Sequence, residues 1–202
     1  MQPSTRERIV VTAARLMQRQ GYVGTGIKQL AKEAEATLGS VYHFFPGGKE
    51  AVAIAAIKYS GEEFAAILRT ALDGEDDPAT AVDACARLLA KELRASGWRD
   101  GCPVTATALE TLGTDSDIQR ACAEALRSWQ DMVADKLLRA GLPARDAREL
   151  ASTVIGTLEG AEVTAQVNRD DEPLLVAGRH LSRLVSAYRS DLAARDADRG
   201  RT

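Results

Sequence analysis

A chain of 202 residues that is 45% apolar can bury a core without staples, and 4% aromatics, abundant alanine and no runs of Val, Ile, Thr and Tyr exclude a β fold and predict an all-α one. Cys85, Cys102 and Cys122, at spacings of 17 and 20 residues, exclude a CxxC metal site or a disulfide framework, and no apolar run reaches the ~18 residues of a membrane span. The expectation is a cytoplasmic protein with structural thiols, no metal, no cofactor and no membrane partner, whose net charge of −3 divides into +3 over residues 1–50 (seven Lys/Arg, four acids) and −6 over the remainder (nineteen against twenty-five).

Ser4-Thr5-Arg6-Glu7 reads as a capping box, so a first helix is predicted over 4–20, with Ile9, Ala13, Leu16 and Met17 at helical spacing and Gly21 as its stop. Thr25 or Gly26 caps a short second helix that buries Ile27, Leu30, Ala31 and Ala34, and Thr37 caps a third over 38–44. Leu38, Val41 and Phe45 fall on the inner face of that third helix. Gly39, Ser40 and His43 then point outward beside Tyr42.

Pro46-Gly47-Gly48 breaks the chain, and a long helix resumes over 49–72. After the acidic loop Asp73-Gly74-Glu75-Asp76-Asp77-Pro78, helices are predicted at 79–96, 103–112, 116–140, 144–168 and 173–194, nine in all, with a frayed charged tail after Asp191. A reading head over 1–50 and a larger helical domain over 51–202 is the expected organisation.

Two short helices joined by a tight turn, the second exposing small and polar groups, suit the DNA major groove, which is ~12 Å wide and admits one helix. Gly39 and Ser40 let that helix approach, Ser40 and His43 can hydrogen-bond base edges, and Tyr42 can stack or donate to a phosphate. Thr25, Lys28 and Lys49 flank the unit where backbone phosphates would lie.

The stretch from Thr5 to Val52 resembles the N-terminal domain of TetR-type repressors. The matching pieces are Ile9, Ala13, Leu16 and Gly21, then Thr25-Gly26-Ile27-Lys28-Gln29-Leu30-Ala31, then Gly39-Ser40-Val41-Tyr42-His43-Phe44-Phe45 followed by Lys49-Glu50. Phe45-Pro46-Gly47-Gly48-Lys49-Glu50 and Gly101-Cys102-Pro103-Val104 resemble the lincomycin-resistance-type branch. The resemblance implies a DNA-binding transcriptional regulator, a repressor released from double-stranded operator DNA by a small hydrophobic effector. It implies base or near-base contacts from Leu38, Gly39, Ser40 and His43, and phosphate contacts from Thr25, Tyr42 and Lys49. One departure is Glu35, which stands in the turn where the family has glycine, and a non-glycine residue at positive φ is strained.

By pattern, Val154, Leu158, Ala161 and Ala165 with Leu150 form one apolar stripe of the last two helices, and Leu181, Leu184, Val185 and Tyr188 with Leu174 and Leu192 form the other. The resemblance implies that these helices pair with their copies, making a homodimer. It also implies a ligand pocket enclosed by the middle helices, which carry Leu89, Trp98, Cys102, Thr105, Leu109, Trp129, Val133, Ile155 and Glu159. Glu159 and Glu162 interrupt an otherwise apolar helix, which fits either a cationic group on the ligand or an arginine partner. Catalysis is the weaker class: the two histidines, His43 and His180, lie in separate helices, and no GxSxG, HExxH or P-loop is present. A helical protein-interaction adaptor is the alternative, and it leaves the Gly-Ser-Tyr-His face without a purpose.

Overall fold

The computed structural model describes residues 3–113 and 116–199. Among them are nine helices and no strand: α1 (Thr5–Gly24), α2 (Ile27–Glu33), α3 (Leu38–Phe44), α4 (Gly48–Asp73), α5 (Pro78–Ala95), α6 (Pro103–Glu110), α7 (Asp117–Arg139), α8 (Ala144–Asn168) and α9 (Glu172–Arg199). No helix among the described residues is long and apolar enough to cross a membrane. The chain packs as two compact units. One joins Met1–Phe64 to Arg99–Leu126, and the other joins Ala65–Trp98 to Arg127–Thr202.

Local chemistry sets the helix ends. The capping box at Ser4 forms in full: its hydroxyl accepts from the Glu7 amide at 3.2 Å, and the Glu7 carboxylate accepts from the Ser4 amide at 2.7 Å. Asp77 caps α5 by accepting from the Thr80 amide at 2.9 Å, with Pro78 in the first turn, where its missing N–H costs nothing. At the far end, α9 runs to Arg199, past the predicted stop at 194.

In the first unit α1 packs on α2, α3 and α6. Regular helix in α1 stops at Gly21 (φ 75°, ψ 171°), and a last turn continues to Gly24. Only glycine fits at this break. Its φ is left-handed, and the Glu110 carboxylate occupies the place a Cβ would take. That carboxylate accepts from the Val23 amide at 2.9 Å, and Arg19 grips Asp100 through two hydrogen bonds of 2.9 and 3.3 Å. The end of α1 is thereby tied to α6 and the loop before it.

In the second unit α9 lies along α5 and α8. At Gly178 the two backbones of α5 and α9 nearly touch, since a Cβ there would stand 2.7 Å from the Ala86 Cβ and 2.7 Å from the Asp83 carboxylate. Ion pairs Arg94–Asp171 and Arg189–Asp77 pin the helix ends. Of the expected dimer stripe, Val154, Leu158, Ala165, Leu181 and Val185 are buried within the single chain, whereas Ala161, Leu184 and Tyr188 keep partial exposure. Periodicity found the buried face correctly, but α5 is among the elements that bury it.

Candidate DNA-reading interface

The turn between α2 and α3 closes as a Schellman motif: the Ala36 amide donates to the Ala31 carbonyl at 2.9 Å and the Glu35 amide to the Lys32 carbonyl at 3.2 Å. Glu35 takes the left-handed position at φ 50°, the conformation expected of a glycine there. Arg8 holds this turn from outside, with Nε donating to the Ala34 carbonyl at 3.2 Å and Nη2 to the Glu35 carbonyl at 3.3 Å. Sequence reasoning missed Arg8, because its role depends on a carbonyl pair 26 and 27 residues away. A left-handed non-glycine residue costs roughly 1–2 kcal/mol, partly offset by the greater unfolded-state entropy of glycine. Glu35→Gly is therefore expected to raise stability by about 0.5–1 kcal/mol, read from the urea midpoint, and a loss of stability would show that Arg8 already relieves the strain.

Thr37 caps α3, accepting from the Ser40 amide at 3.0 Å, while the Thr37 and Ser40 hydroxyls lie 2.9 Å apart. Val41 and Phe45 are buried and seat the helix. The opposite face is open: Gly39 and His43 are exposed, Ser40 is half-buried, Tyr42 is 50% exposed and Leu38 is 38% exposed. Leu38 therefore leaves the inner face assigned by periodicity and joins the reading face. The His43 ring stands edge-on to Phe44, centroids 5.0 Å apart, which fixes its direction.

A family model described as "Bacterial regulatory proteins, tetR family" matches residues 9–56, and one described as "Transcriptional regulator LmrA/YxaF-like, C-terminal domain" matches residues 78–180. The chain belongs to the TetR family of transcriptional regulators. Among its relatives, the Uncharacterized HTH-type transcriptional regulator YxaF of Bacillus subtilis is 34% identical over 90% of this chain and 95% of that protein. The HTH-type transcriptional regulator LmrA of the same organism is 33% identical over 85% of this chain and 91% of that one. The crystal structure of regulatory protein TetR from Rhodobacter sphaeroides superposes with a TM-score of 0.79 at 26% identity, covering 89% and 97% of the two chains.

Around the TetR-type reading helix the flanking residues divide. Lys28 is exposed. Lys49 is half-buried: its ammonium donates to the Val23 carbonyl at 3.2 Å and sits 4.6 Å from the centre of the Tyr22 ring, with two N–H donors left over. Thr25 is 5% exposed, and its hydroxyl donates to the Gly21 carbonyl at 2.7 Å, which closes α1.

The residues expected around a ligand fall in both units. Leu89, Trp129, Val133, Ile155 and Glu159 are buried and Trp98 is half-buried in the second, while Cys102 and Thr105 are half-buried in the first. Leu109 is 61% exposed and corrects its assignment as an inward-facing wall residue. Cys102 instead caps α6, its sulfur accepting from the Thr105 amide at 3.5 Å.

Proposed function

We propose that the chain is a repressor that grips operator DNA as a homodimer and lets go when a small hydrophobic effector binds among its middle helices. The observation that carries this is α3, seated by Val41 and Phe45 and presenting Leu38, Gly39, Ser40, Tyr42 and His43 to solvent. An effector that binds better to the arrangement with misplaced reading heads lowers DNA affinity by that difference. The α6-to-α1 ties at Asp100–Arg19 and Glu110–Val23 give a route, because a shift of α6 carries the end of α1 with it.

Base readers and phosphate anchors separate by their salt dependence. His43→Ala or Ser40→Ala is expected to cost about 1–3 kcal/mol on an operator selected from a random duplex pool and much less on random DNA. Lys49→Ala weakens all duplexes alike and lowers the slope of log affinity against log salt by about one. Equal losses on both DNAs for His43→Ala would assign it to positioning. An unchanged slope would remove Lys49 from the interface.

For the dimer, support comes from the outer face of α8, where Val163 and Val167 are 45% and 76% exposed and no atom lies within 4 Å of the Cβ position of Gly156 or Gly160. Such a stripe lets a second copy of the helix approach closely. Val163 is 45% exposed in the single chain, so Val163→Glu can keep its charge in water there and is expected to leave the fold intact while weakening association by at least about tenfold through an unpaired buried charge. Sedimentation equilibrium reads the change, and an unaltered dimer places the interface elsewhere.

A further inference from the structure

Glu159 and Glu162 stand three residues apart on α8, so one helical face carries both, and their carboxylate oxygens come within 4.8 Å of each other. Both are buried, 8% and 7% exposed, on the face that also buries Ile155, Leu158 and Ala165. Oε2 of Glu162 has no hydrogen-bond partner, and Glu162 forms no ion pair among the described residues. Within the chain, no arginine among the described residues pairs with Glu162. Burial, reinforced by the neighbouring Glu159 charge, pushes the Glu162 carboxyl up to about 8. Two ionised acids held against each other in an apolar setting would bear both a desolvation cost and their repulsion, and the proton that Glu162 keeps at neutral pH avoids both. A cation that enters the site takes over that compensation when the proton leaves.

We propose that this pair is the recognition point for a positively charged nitrogen on the effector, which makes the effector an amphiphilic organic cation. The inference rests on the effector reading above. A hard divalent ion fits less well: Ca²⁺ takes six to eight oxygens, and two carboxylates supply at most four. An ammonium group needs only the two or three acceptors that the pair offers, and Ile155 and Leu158, buried on the same helix face, are apolar neighbours in sequence for the body that carries it.

Three probes share one ring system and differ in charge: 9-aminoacridine (cationic at neutral pH), acridine (neutral) and acridine-9-carboxylate (anionic). Fluorescence titration of the full chain is expected to give at least about tenfold tighter binding of 9-aminoacridine than of acridine, with the anion weakest, and 9-aminoacridine releases the operator. In Glu162→Gln, which keeps the side-chain shape, the preference for the cation falls toward parity. Glu172→Gln, at an exposed surface pair with Arg179, leaves the preference intact. Equal binding of all three with operator release overturns the inference while the effector reading stands. So does a cation preference that survives in the Glu159→Gln/Glu162→Gln double variant, or thermal stabilisation by Ca²⁺ or Zn²⁺ without any by 9-aminoacridine. Binding of none of the three overturns the inference together with the reading beneath it.

Discussion

Trp129→Ala is expected to destabilise the protein by about 3–5 kcal/mol, the range for emptying a fully buried tryptophan site. Trp129 is 0% exposed and shares its stripe on α7 with Val133 and Leu137, both also 0% exposed, so no flexible neighbour stands ready to fill the hole. Domains hold only about 5–15 kcal/mol in total, and for a chain of this size the loss corresponds to a melting temperature lower by roughly 10 °C. Trp129→Phe keeps most of the volume and costs far less. Calorimetry on both variants checks the pair. A small loss for Trp129→Ala would mean that the site collapses around the missing ring.

The second large effect has the opposite sign. Glu162 titrates in the folded chain near 8, against 4.5 for an unperturbed glutamate, because burial disfavours the charged form and Glu159 repels it. The folded state thus holds a proton that the unfolded state has already released. Stability contributed by this group is complete below about 4.5, falls as pH rises, and is fully lost above about 8. Glutamine mimics the protonated acid at every pH. Glu162→Gln is expected to match the parent at pH 4 and to exceed it by about 3 kcal/mol at pH 7, the gap opening steadily between. Urea midpoints across that range measure it, and a gap that does not change with pH would show that the Glu162 charge is already compensated.

A residue that destabilises its own fold at neutral pH was only half legible in the sequence. The pattern showed that Glu159 and Glu162 broke an apolar face, but i, i+3 spacing says nothing about what stands opposite. Helix ends were more legible where a cap was read locally, as for Ser4 with Glu7 and Thr37 with Ser40, whereas Asp77, read as part of an acidic loop, proved to cap α5 through the Thr80 amide. The bounds of α3 match the reading of 38–44. Glu35 was half legible: the sequence left open whether the turn differs or Glu35 tolerates a left-handed backbone, and the φ of 50° is the second.

Contacts distant along the chain were not legible. Arg8 on the α2–α3 turn, Asp100 on Arg19 and Glu110 on Val23 join residues 26 to 87 positions apart, and charged residues on helix surfaces carry no periodic signal of their partners. The burial of Val154 and Leu181 within the single chain was not legible for a related reason. A hydrophobic stripe reports that a face is covered, and leaves unsaid whether the cover comes from the same chain or a second copy.

The seam at Gly178 limits how the second unit can deform. Where two helices are separated by side chains, one can slide along the other as rotamers readjust, the small shear that packed helices commonly allow. At Gly178 there is no such cushion, since the α9 backbone lies directly against Ala86 and Asp83. Translation along the helix axis would drive the flanking side chains of α9 into the α5 backbone, whereas rotation about the contact moves them apart. Sliding of α9 along α5 is therefore hindered at Gly178, and the Arg94–Asp171 and Arg189–Asp77 pairs join the two helices near their ends.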